Sequence, residues 1–160
     1  MPSLSASFNP AIGPLINLFL TPPAFLHQAI QSGAGSPAAP IAVHATPALI
    51  DTGASMTSIT AQVAQIARLP LIGKRNVGTA GGTVAANVYL ADIAIPFGAL
   101  PPLALGQPTT AVLAQAATIA NVTILEFQCA SPHFNMLLGR DILCRGVFTF
   151  SFDNRYTFSI

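Results

Sequence analysis

With 160 residues, 52% of them apolar and only 7% charged, the chain has enough apolar surface for a buried core and too little charge for a disordered segment of this size. A net charge of +1 supplies no field for holding nucleic acid or an anionic membrane, so neither is expected as a partner. The length fits one domain over residues 1–160, and so apolar a chain with so few charges predicts that a partner subunit covers part of its surface.

Leu15 to Leu20 reads as a strand that stops at Pro22-Pro23. A short helix fits Phe25 to Gln31, followed by a Gly/Ser/Ala/Pro-rich loop from Ser32 to Pro40. Ile41 to Ile50 is extended, with an interruption at Pro47. Ser58 to Ala67 suits a helix with Val63, Ile66 and Ala67 on its buried side, ended by Pro70. Val77 to Ile95 reads as a hairpin around Gly81-Gly82. Pro96 to Pro108 is proline-rich and irregular, and the Pro/Thr/Ala stretch from Ala99 to Ala120 reads as an insertion. Val122 to Phe127 and Phe134 to Leu138 are further strands, and Gly139 to Cys144 fits a short helix. At the C-terminus Phe148, Phe150 and Phe152, then Tyr156, Phe158 and Ile160, alternate with polar residues. A three-residue turn at Asp153-Asn154-Arg155 would pair Phe152 with Tyr156, Phe150 with Phe158 and Phe148 with Ile160, with Asn154 or Arg155 left-handed.

No apolar run is a convincing membrane span. Pro14 to Leu26 falls short of the ~20 residues required, and Ala94 to Leu125 is broken by prolines. The N-terminus shows no secretory signal, and a cytoplasmic location is expected. Cys129 and Cys144 fit two free buried thiols, with a disulfide as the alternative. His27, His44 and His133 with Cys129 match no usual zinc spacing, so no metal is expected.

The chemistry centres on Ala48-Leu49-Ile50-Asp51-Thr52-Gly53-Ala54-Ser55. An apolar strand delivers one carboxylate into a turn, Gly53 permits the sharp bend, and small Ala54 lets a second backbone approach. Asp, Thr and Gly also suit an ordinary turn, so the motif alone does not settle its role. A second feature lies downstream, where Leu137-Leu138-Gly139 runs into Arg140-Asp141-Ile142-Leu143. Between the two lies the glycine-bearing hairpin Gly78-Thr79-Ala80-Gly81-Gly82-Thr83.

This order of motifs, from about Ile41 to Phe152, resembles the retropepsin-like aspartic proteases, single-domain homodimers of the retroviral and bacterial type. The resemblance implies an all-β acid-protease barrel with one or two short helices, a flap hairpin, and an extended peptide or protein as substrate. It implies that Asp51 is catalytic and that Thr52 braces the two active-site turns across the dimer. Gly53 would contact the substrate backbone, with Ala54 and Ser55 completing the loop. Val77 to Val88 would be the flap, and Leu137-Leu138-Gly139 would support the Asp-bearing loop. Two departures stand out. Ser55 occupies a position where the retroviral pattern has an Asp that pairs with the Arg matched by Arg140, and Arg155 to Ile160 extend past the usual last strand, so the layout of the dimer is open.

Two carboxylates about 3 Å apart cannot both ionise and share one proton, so one can activate water while the other donates to the scissile carbonyl. No cofactor is needed. Asp51-Thr52-Gly53 occurs once, and Asp92, Glu126, Asp141 and Asp153 lack the same context, so the second carboxylate must come from a second chain. Asp141 is expected to cap or pair within its own helix. The alternative function is a silent or latent module of the same fold, acting in peptide binding or assembly.

Overall fold

The computed structural model describes residues 2–23, 44–79, 81–97, 116–128 and 131–160. The proposed helix at 25–31 and the loop at 32–40 lie outside them, as do Ala80, Cys129 and most of the 99–120 stretch.

Ten strands and two short helices make up the described residues: β1 (Ser3–Ser7), β2 (Leu15–Thr21), β3 (His44–Ile50), β4 (Ser58–Ile59), α1 (Ala61–Ile66), β5 (Leu71–Thr79), β6 (Gly82–Pro96), β7 (Ala116–Glu126), β8 (Met136–Leu138), α2 (Arg140–Leu143), β9 (Val147–Ser151) and β10 (Arg155–Ser159). The larger sheet runs β2-β3-β8-β4-β7-β6-β5, and pairing of β2 with β6 closes six of its strands into a barrel. Closure removes exposed strand edges from the barrel itself. β5 stays outside and forms, with β6, a hairpin arm. The all-β expectation therefore holds.

The barrel interior is filled from every wall. Leu18 and Leu20 of β2, Ala48 and Ile50 of β3, Ile59, Ile93 and Ile95, Ile124, Met136 and Leu138 meet Val63 of α1 and Ile142 of α2. A three-stranded sheet in the order β1-β10-β9 lies against this core through buried Tyr156 and Phe158. The Tyr156 hydroxyl donates to the Leu15 carbonyl at 2.7 Å, fixing that sheet to β2.

Several elements differ from the sequence reading. Pro47 does not interrupt β3. Its carbonyl accepts from Asn135 N–H, and the ladder to β8 begins only at Ala48, so the missing proline N–H breaks no bond. Residues 58–59 are strand, because β4 is needed between β7 and β8, and the helix begins after Thr60, whose side chain caps it. Val63, Ala64 and Ala67 face the core, and Ile66 is exposed. The hairpin arm starts at Leu71 rather than Val77, and residues 116–120 belong to β7, not to an insertion. Cys144 caps α2 beyond its apolar face and is a free, exposed thiol rather than a buried one.

At the C-terminus, β9 and β10 pair Phe150 with Tyr156 and Phe148 with Phe158, two residues out of step with the expected register. The turn is Phe152-Asp153-Asn154, with Asn154 left-handed at φ 58°. Even displacement keeps Phe148, Phe150, Tyr156 and Phe158 on one face, the constraint the alternation imposed. Phe152 is the residue lost from that face, and it stands fully in solvent.

Burial holds the imidazole of His44, at the start of β3, below its ordinary pKa of 6.5. The folded chain thus takes up this proton less readily than the unfolded one. The contribution is complete above that value and is lost as pH falls toward the folded pKa. Wild type is expected to lose melting temperature between about pH 7 and pH 5, and His44→Gln to lose less. Parallel losses in both proteins would show that His44 plays no part.

Candidate active site

Asp51 follows directly on β3. Its N–H donates to the Leu138 carbonyl at 3.0 Å, extending the parallel β3–β8 ladder by one bond and fixing the backbone from which the carboxylate projects. The chain then turns. Gly53 and Ala54 N–H groups donate to Asp51 Oδ1 at 2.9 and 3.2 Å, and among the described residues none bonds to Oδ2. Asp51 and Ala54 are partly buried, and Thr52, Gly53 and Ser55 are exposed.

The segment after β8 underpins this turn. Arg140 N–H donates to the Ala54 carbonyl at 3.0 Å, which requires close approach of two backbones. Gly139 makes that possible, since a Cβ there would lie 2.5 Å from Met56 C. The Gly139 N–H donates to Thr57 Oγ1 at 3.1 Å, and the Thr57 hydroxyl donates to Asp141 Oδ1 at 2.7 Å. Asp141 also accepts the Thr57 N–H through both carboxylate oxygens, at 2.9 and 3.0 Å. Asp141 does bond to Ile142 N–H in its own helix, but its main partner lies across the loop, contrary to the local role expected for it. Arg140 is exposed and reaches the loop through its backbone. Asp141 belongs to the segment expected to support the loop, but Thr57 and the bond between them escape a sequence reading, because they are 84 positions apart and no local pattern joins them.

The remaining carboxylates are engaged elsewhere. Buried Asp92 accepts from Asn121 N–H at 2.8 Å across the irregularity between β6 and β7. Glu126 accepts from Tyr89 Oη at 2.5 Å and Asn87 Nδ2 at 3.0 Å. Burial, reinforced by the bond to Glu126 and its charge, raises the Tyr89 pKa. Asp153 accepts from the Ser151 hydroxyl. Of the five acids in the chain, Asp51 and Asp153 have carboxylates held only within their own turns, and Asp51 is the one carried at the end of a barrel strand.

One face of the barrel wall continues from the turn. Cross-strand partners share a face. Leu49 pairs with Leu137, Leu137 with Ser58, Ser58 with Leu125, and Leu125 with Val88. These residues alternate with the core-facing set and lie outside the core cluster. Asp51 follows Leu49 by two residues, so strand alternation places it on this same side. Local sequence patterns point to Leu137 alone in this row of four apolar residues and Ser58, because strand pairing assembles it from separate strands. Leu138, the other supporting leucine, is fully buried in the core.

The hairpin arm carries Gly78 and Thr79 on β5 and Gly82 and Thr83 on β6, with exposed Gly81 at the tip. Thr79 pairs with Gly82, whose φ of +116° suits glycine, and the Thr79 hydroxyl donates to the Gly82 carbonyl at 2.8 Å. Arg75 Nη1 lies 3.4 Å from Met56 Sδ, linking the arm to the loop that begins at Asp51. Among the described residues, no group of three or more His, Cys, Asp or Glu side chains could hold a metal ion, and no helix is long and apolar enough to cross a membrane.

The profile of the gag-polyprotein putative aspartyl protease family matches residues 39–100. Among solved structures, the chain is similar to a retropepsin-like aspartic protease from Rickettsia conorii, at 14% identity and a TM-score of 0.54, over 98% of this chain and 89% of that one. No curated protein matches the chain.

Proposed function

We propose that this chain, whose fold is that of the retropepsin-like aspartic proteases, hydrolyses internal peptide bonds as a homodimer with one Asp51 from each subunit at the reaction centre. The observation that carries this reading is the Asp51 turn, where the backbone is held by Leu138 and the 139–141 segment while Oδ2, among the described residues, has no bond of its own. Two such carboxylates facing each other share a proton. The ionised one takes a proton from water as it attacks, and the protonated one donates to the carbonyl oxygen. Thr52 would bridge the two turns, and Gly53 would meet the substrate backbone. The 78–83 hairpin would close as a flap and hold an extended peptide by strand-like hydrogen bonds. Leu49, Leu137 and Leu125 would take an apolar side chain beside the scissile bond. The chemistry draws on no metal or organic cofactor.

Assembly would use the edge of β9. Its sequence Val147-Phe148-Thr149-Phe150-Ser151 has no charge and no proline, the usual protections of an open edge. Val147 and Phe150 are exposed, as is Phe152 in the adjoining turn. Two antiparallel β9 strands related by a two-fold axis pair the same residues reciprocally. Phe150→Lys, with Phe152→Ser as a variant in the turn, is expected to raise the dimer dissociation constant at least about tenfold, since each Phe is buried twice per dimer. Sedimentation over a concentration series measures this, and unchanged dimerisation in both variants would place the interface elsewhere. The activity itself is tested by peptide-library hydrolysis with wild type and Asp51→Asn. Cleavage that survives the substitution would overturn the proposal, and binding without cleavage would favour a silent module.

A further inference from the structure

The hairpin arm brings a cation to the active-site face. Arg75 pairs with Ala86, and Ala86 shares its face with Val88, two residues on. Val88 belongs to the apolar row through Leu125. Arg75 therefore lies on the side of the wall that carries Leu49, Leu137 and Leu125, and its contact with Met56 sets it beside the loop that begins at Asp51. Its position is at the rim, because β5 is exposed from Leu71 through Asn76.

The partner it has there is a poor one. A guanidinium presents five donors in a planar fork suited to a carboxylate, and a thioether is a weak acceptor. Asp141 is engaged by Thr57 and Ile142 N–H, Asp51 is held by Gly53 and Ala54 N–H, and Ser55 brings no charge. Asp92, Glu126 and Asp153 are engaged on other parts of the fold. The rim thus holds a positive charge whose bond, among the described residues, is to sulfur alone.

We infer that Arg75 reads an acidic side chain of the peptide bound between the hairpin arm and the active-site loop. The substrate class is an extended peptide with an apolar residue in the Leu49–Leu137–Leu125 trough and an Asp or Glu at a fixed distance from it. The carboxylate takes the guanidinium from Met56 and forms a charge-assisted, two-pronged bond. This rests on the proposed peptide cleft, but not on its catalytic activity.

The test therefore separates the two. A random decapeptide library is selected on full-length Asp51→Asn protein and, in parallel, on Asp51→Asn carrying Arg75→Glu. The first selection is expected to enrich Asp and Glu at one position relative to the apolar residue. The second is expected to lose that enrichment or replace it with Lys and Arg. Re-synthesised acidic peptides should bind the first protein about three- to tenfold more tightly than their Gln counterparts, with the ratio shrinking as salt rises. Absence of acidic enrichment, or the same enrichment with Glu at position 75, overturns the assignment. Arg75-dependent enrichment in a protein whose wild-type form cleaves nothing would sustain this inference and sink the protease reading. Asp51-dependent cleavage without acidic preference would do the reverse.

Discussion

Asp51→Asn is expected to reduce peptide hydrolysis by about 10⁴-fold or more, to the limit of detection, while leaving the fold intact. The amide oxygen of Asn can still accept from Gly53 and Ala54 N–H, so the turn keeps both bonds that hold it. What is lost is the ability to take a proton from water and to hold one for the carbonyl. In a symmetric dimer one substitution removes both, which is why no intermediate activity is expected. Progress curves on the best library peptide, with melting temperature as the control, decide the point. A loss of under tenfold in a protein that melts like wild type would mean that another group does the chemistry. Because the proposed dyad must keep one proton, the wild-type rate should fall toward alkaline pH, and a rate still climbing at about pH 9 would contradict the mechanism.

Gly139→Ala is expected to be strongly destabilising, costing about 3 kcal/mol or more. Its Cβ would lie 2.5 Å from Met56 C and 2.7 Å from both Met56 O and Thr57 N. These are backbone atoms, and they cannot retreat. Thr57 N is tied to Asp141, Thr57 Oγ1 accepts from Gly139 itself, and Arg140 N–H holds the Ala54 carbonyl. For a chain of this size the cost corresponds to a fall in melting temperature on the order of 10 °C. Gly78→Ala is the control, since a Cβ there meets nothing within 4 Å. Equal melting of Gly139→Ala and wild type would show that the 139–141 segment does not brace the Asp51 turn as its hydrogen bonds indicate.

Some of this was legible in the chain because short-range rules governed it. Alternation of Phe148, Phe150, Tyr156 and Phe158 limits a hairpin to registers that keep them together, and the observed pairing obeys that limit. Parity alone does not choose between registers two residues apart. Burial of Tyr156 and Phe158 against the barrel made that choice, and it sent Phe152 into the turn. The helix expected from Ser58 failed for a similar reason. Ser58 and Ile59 complete a sheet between β7 and β8, and closure of the barrel outweighs the local preference of two residues.

The sequence by itself determined the strand-borne Asp51 and the sharp turn at Gly53, because each is a contiguous pattern whose residues answer to neighbours one to four positions away. Only the tertiary structure decided what holds and surrounds that carboxylate. Thr57 and Asp141, Arg75 and Met56, and the row from Leu49 to Val88 are joined by strand pairing and backbone contact across long stretches of chain. Such contacts exist only after the barrel closes, since closure alone places distant side chains on a common face.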